Sequence, residues 1–174
     1  MRSYASLLVT VLLVTPAASA QQPTKLEVGT HFGGTVAFGG GSTEVLVAAP
    51  NSGSFFAWPS LYLSLFPTPG LMVEPQLGVA YSSGDDEVLF IGALQLGYLL
   101  APRSAGSPYF GVQGGFSHFG SLVDSGIAGA AFGYRFLIQQ RLAIRAEAGY
   151  RRWLCSGCDL NEATVQIGLG AALP

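Results

Sequence analysis

Three short stretches carry residue types that could do chemistry. The first is Ser117-His118-Phe119-Gly120-Ser121, followed by Asp124. A histidine within reach of a hydroxyl can activate it for acyl transfer, with a carboxylate orienting the imidazole. In a strand, however, residues two apart share a face, and two residues after His118 stands Gly120. The hydroxyl of Ser121 falls one position later, in the connection that follows. A histidine at an interface is the better reading, and His118, Ser121 and Asp124 remain the candidates of a weaker catalytic alternative. The second stretch is Cys155-Ser156-Gly157-Cys158, the one cysteine pair. Zinc needs four ligands and a redox motif needs a βαβ setting, so in an exported chain a disulfide between Cys155 and Cys158 is expected. The third is Asp85-Asp86-Glu87, whose carboxylates suit hard cations but lack the spacing of a defined cation loop. No metal site and no cofactor is expected.

The remaining charged groups fall into a pattern set by the elements that carry them. In RLAIRAEAGYRRW, Arg141 to Trp153, apolar Leu142, Ile144, Ala146, Ala148 and Tyr150 alternate with Arg141, Arg145, Glu147 and Arg151. A period of two predicts a strand with one apolar and one polar face. The first twenty residues, MRSYASLLVTVLLVTPAASA, have a basic start, a short apolar run and an Ala18-Ser19-Ala20 ending. They read as a signal peptide, residues 1–20, leaving residues 21–174 as one domain. Beyond it, no apolar run reaches the roughly 18 residues of a membrane helix. Yet charged residues make up only 10% of the chain, there are 24 glycines, and mean hydropathy is +0.43. An ordinary soluble domain carries about 25% charged residues, so something other than water is expected to cover much of this surface. Eight Lys and Arg against ten Asp and Glu give no basic excess for nucleic acid.

Eight strands are predicted: Thr24 to Phe38, Phe55 to Phe66, Leu71 to Ser82, Val88 to Leu100, Pro108 to His118, Gly126 to Ile138, Arg141 to Leu154, and Ala163 to Leu173. Short connections (PTPG, APRSAGS, Gln139-Gln140) alternate with longer or more acidic ones (GGGSTEVLVAAPNSGS, SGDDE, FGSLVDS, CSGCDLNE). That asymmetry belongs to transmembrane barrels with tight periplasmic turns and longer external loops. The second set holds Glu44, Asp85, Asp86, Glu87, Asp124, Asp159 and Glu162, seven of the ten carboxylates. The polar face of each strand is small and sparsely charged, as suits a narrow filled interior rather than a wetted outer wall. Turned inward, it brings Glu27, Glu74 and Glu147 together with Arg135, Arg145 and Arg151, three acids to three bases, with His31 as a further member. Arg152 and Trp153 are expected at the lipid head groups. The fold class is therefore an all-β, eight-stranded antiparallel up-and-down transmembrane barrel.

The signal peptide, strand count, loop asymmetry and Gly/aromatic stretches "LGVAYSSG", "LQLGYLL" and "EAGYRRW" resemble the small eight-stranded outer-membrane β-barrel family of the OmpA-barrel or OmpX type. The terminal strand departs from that family's assembly signal, with Ala171 and Leu173 standing where aromatics are usual. The resemblance implies a bacterial outer-membrane location, contact with outer-membrane lipid and lipopolysaccharide, insertion by the barrel-assembly machinery, and a monomer. It implies a non-enzymatic role in envelope structure or surface interaction through the acidic loops. The alternatives are a lipid A acyl hydrolase, since outer-membrane deacylases are also eight-stranded barrels, and a secreted soluble ligand-binding barrel.

Overall fold

The computed structural model describes residues 24–39, 42–48, 61–82, 87–119, 123–154 and 160–173. The signal-peptide assignment, the Cys155–Cys158 pair, Ser121, Asp85, Asp86 and Asp159 lie outside those residues. The strands are β1 (Leu26–Gly39), β2 (Ser42–Ala48), β3 (Leu61–Thr68), β4 (Leu71–Ser82), β5 (Glu87–Leu99), β6 (Gly106–Phe119), β7 (Val123–Ile138), β8 (Leu142–Leu154) and β9 (Asn161–Leu173). Every ladder is antiparallel, and β9 returns to β1 from Leu26↔Leu173 to Phe38↔Asn161. That last pairing closes the sheet into a barrel, which leaves no edge along β1 and β9.

The nine strands among the described residues make eight staves because the second stave is built in two pieces. β3 pairs with the lower half of β1, Leu26↔Leu65 to Thr30↔Leu61. β2 pairs with its upper half, Gly33↔Ala48 to Gly39↔Ser42. Of the strand expected from Phe55 to Phe66, residues 61–66 lie in β3 and residues 55–60 fall outside the described residues, while the expected long loop after Phe38 is corrected to a hairpin. TEVLVA within it has the alternation and β-branched residues of a strand, a signal outweighed in the sequence by its flanking glycines. The connection after β6 is shorter than expected too, since Phe119 pairs with Val123 and Asp124 opposes His118. Of the seven acids assigned to external loops, Glu44, Glu87, Asp124 and Glu162 stand within strands.

The turns at the other end are tight for local reasons. Gln139 and Gln140 both have positive φ, 49° and 59°, and Arg141 N–H donates to Ile138 O at 3.1 Å, a two-residue hairpin of the kind that matches strand twist. Gly70, at φ 93°, ends the β3–β4 turn where a side chain would be strained.

The two faces of the wall divide as the strand period requires. Leu63, Val79, Leu94, Val112, Phe132, Val165 and Ile167 point outward and are exposed, in the manner of an apolar belt. Inside, apolar clusters lie toward the two ends. Met72, Leu99 and Tyr109, with Phe66 against them, and Leu137, Ala143 and Ala172 fill the end with tight turns. Ile91, Ile127 and Trp153 fill the other. Trp153 was expected at the head groups; sharing parity with Arg151, it turns inward and is 3% exposed. Arg152 is on the outer face and exposed.

Candidate functional site

Between those apolar ends the barrel buries its charge. Glu27, Glu74, Glu147, Glu162, Arg135, Arg145 and Arg151 are all buried, so among the described residues the interior holds four acids and three bases rather than three of each. The fourth acid, Glu162, was expected in a loop.

Arg145 is the centre of the lower layer. Its Nη2 lies 2.6 Å from Glu27 Oε1, its Nη1 donates to Glu74 Oε2, and its Nη2 donates to Ser64 Oγ at 2.8 Å. Arg135 donates from Nε to Glu27 Oε2 at 2.8 Å and from Nη2 to Thr24 Oγ1 at 3.2 Å. The register sets Arg135 directly opposite Arg145, a repulsive cross-strand pair taken alone. Glu27 resolves it by giving one oxygen to each guanidinium. Tyr62 Oη donates to Glu27 Oε1 at 2.9 Å, and Ser64 Oγ and Gln76 Nε2 donate to Glu74, the latter at 2.8 Å. Buried carboxylates are tolerated on those terms, paired and with their lone pairs filled.

The remaining expected members separate from that layer. Glu147 is held by neutral donors, Tyr109 Oη at 2.8 Å, Gln95 Nε2 at 3.1 Å and Gln166 Nε2 at 2.5 Å. Arg151 pairs with Glu162, Nη1 to Oε2 at 3.7 Å. His31 is buried and stacks on Tyr62 with ring centroids 4.4 Å apart, and neither ring nitrogen has a hydrogen-bond partner among the described residues. It belongs to the wall of the cluster rather than to its bonding.

Tyr62 and Tyr109 are functional partners that sequence reasoning missed. The signal for both was present as inward-facing glycine. A Cβ on Gly29 would stand 2.5 Å from the Tyr62 ring, and one on Gly133 would stand 2.5 Å from the Tyr109 ring. The glycines leave room in a narrow lumen for a phenol to reach a carboxylate.

The catalytic candidates fare differently. His118 faces outward and opposes Asp124 in register. Ser117 is on the inner face, 1% exposed, with its Oγ turned to Ser125 O at 3.5 Å. No group of three or more His, Cys, Asp or Glu able to hold a metal occurs among the described residues.

No family model matches the chain, and no curated protein does. Its fold does match solved structures. Neisserial surface protein A (NspA) superposes with a TM-score of 0.60 at 12% identity, over 91% of this chain and 100% of that one. The N-terminal β-barrel domain of Pseudomonas aeruginosa OprF gives 0.56 at 11%, over 88% and 100%. Ail, the attachment invasion locus protein of Yersinia pestis, gives 0.51 at 13%, over 87% and 100%. At these identities the likeness is one of fold. The chain is a closed eight-stave antiparallel β-barrel, and its fold is that of these small outer-membrane barrels.

Proposed function

We propose that this protein is an integral, non-enzymatic component of the bacterial outer membrane, a monomer exported by its signal peptide and serving envelope structure or surface interaction. What carries the reading is the inverted distribution of the wall. Large apolar side chains stand exposed all round the outside, while among the described residues three arginines and four glutamates are buried within. Such a surface is stable only against lipid. The buried ion pairs, with apolar clusters above and below them, support a sealed interior and argue against an open pore. Tight turns then face the periplasm and the other end faces outward, where Asp85, Asp86 and Asp159 would meet the exterior.

Fractionation with an unheated-versus-boiled gel tests the location. A heat-dependent mobility shift in the outer-membrane fraction is expected, and recovery in the soluble periplasm refutes the proposal in favour of a secreted barrel. Liposomes carrying the refolded protein are expected not to swell in isotonic sugar. The register pair His118↔Asp124 favours a second reading, hydrolysis of lipid acyl esters. It predicts altered lipid A on expression that His118→Ala abolishes; lipid A of unchanged mass removes it.

A further inference from the structure

The end of the barrel that bears the tight turns opens on a recess of about 160 Å³, one side of which is Arg135 of the ion-pair layer beneath it. We infer that this recess is a seat for a single carboxylate borne on a small apolar group, such as the C-terminal residue of a peptide presented from the periplasm. Its sidedness rests on the outer-membrane reading; its chemistry does not.

Two cationic groups line it, Lys25 and Arg135. Arg135 is only 4% exposed, and it is fixed by Glu27 on Nε, by Thr24 on Nη2, and by the Phe66 ring, whose centroid is 5.2 Å from its Cζ. A guanidinium has five N–H donors in a planar fork, more than those two bonds use. Lys25 is placed at the rim by its backbone, whose N–H donates to Leu173 O at 3.1 Å and whose carbonyl accepts from Phe66 N–H at 3.0 Å. The β3–β4 turn is held likewise, with Leu99 N–H donating to Gly70 O at 2.7 Å. The recess is therefore preorganised, which lowers the cost of binding.

Charge and size then select the ligand. In the layer beneath, Glu27 and Glu74 balance Arg135 and Arg145, so among the residues that line the recess Lys25 carries the one unbalanced charge. That favours a monoanion over a phosphate dianion. Phe66, Pro67, Pro69, Leu99 and Pro102 supply apolar walls that free acetate would leave unused. A cavity this small is below the roughly 300 Å³ at which sites for whole drug-sized ligands begin, and suits one terminal group of a larger molecule.

The test uses the barrel refolded in detergent micelles, with backbone amide signals of Lys25, Thr68, Gly70 and Leu99 as reporters. N-acetyl-alanyl-alanine is expected to shift them saturably at millimolar concentration, and the same dipeptide with a C-terminal amide is not. Lys25→Gln should weaken binding about two- to fivefold, the scale of an exposed charge pair. Arg135→Lys should weaken it further, because lysine keeps the charge and loses the fork. The inference is overturned by equal response to acid and amide, by absence of saturation, by phosphate displacing the acid as well as the acid itself does, or by binding that Lys25→Gln leaves unchanged. The unheated gel run on the same samples reports the barrel separately. Should Arg135→Lys fail that gel, the acid–amide comparison and Lys25→Gln still decide.

Discussion

Replacing Arg145 with methionine tests whether the buried charge holds the barrel together. The guanidinium is 0% exposed and touches Glu27, Glu74 and Ser64, with its Cζ 4.6 Å from the Tyr62 ring centroid. Without it the two acids fare unequally. Glu27 retains Arg135 and Tyr62, whereas among the described residues Glu74 keeps only the neutral donors Ser64 and Gln76. One buried carboxylate is then left without a cation, a situation that costs about 3–5 kcal/mol. Methionine fills much of the same volume, so a cavity accounts for little of this. Urea titration of the barrel in lipid vesicles, read as folded and unfolded bands on an unheated gel, measures the loss. The diagnostic is the second variant: adding Glu74→Gln to Arg145→Met removes the orphaned charge and should restore more than half of the stability. Arg141→Gln, an exposed turn residue, is the unchanged control. A single variant within about 1 kcal/mol of the parent, or a double variant no better than the single, refutes the reasoning.

Four further outcomes follow from particular contacts. Gly29→Ala places a methyl against Tyr62, drives that phenol off Glu27, and should cost about 1–3 kcal/mol in the same titration. Ile167→Arg, at the middle of β9 on the exposed outer face, should cost about 2–4 kcal/mol in bilayers. His31→Phe keeps the stack on Tyr62 and removes two nitrogens that bond nothing among the described residues, so stability should stay within about 1 kcal/mol of the parent. Replacing Gln139-Gln140 with Asn-Gly, the pair suited to positive φ at both positions, should stabilise by about 1 kcal/mol and shift the urea midpoint upward.

The alternation of Arg145, Glu147 and Arg151 with apolar neighbours made β8 legible, because parity in a strand is fixed by geometry alone. Parity also fixed which of Glu27 and Val28, or Glu74 and Val73, would face inward. What it did not fix was partner choice, which depends on how far staves are staggered around the barrel. Arg151 therefore pairs with Glu162 from a neighbouring strand, and Glu147 is bonded by a phenol and two amides. Trp153 shows a different failure. An aromatic near the end of a strand was read by the habit of interfacial rings, when its own parity with Arg151 already placed it inside. The β2 hairpin was missed because Gly and Ser on both sides of TEVLVA outweighed a six-residue alternation.

The position of the charge layer relative to that hairpin explains why the cluster sits low in the lumen. β3 has eight residues, the lower piece of a divided stave, and its ladder to β4 is irregular between Leu65 and Thr68. By backbone pairing it is the least secured wall in the lower half. Its inward side chains supply what the ladder lacks. Tyr62 binds Glu27 on β1, Ser64 binds both Glu74 on β4 and Arg145 on β8, and Arg145 ties Glu27 and Glu74 together. A stave short of backbone bonds is thus fastened through the lumen to its two neighbours and, across the lumen, to β8, three staves away. On this argument the buried ions are placed where the divided stave needs fastening, and an apolar substitute of equal volume could fill the space without making those directional ties.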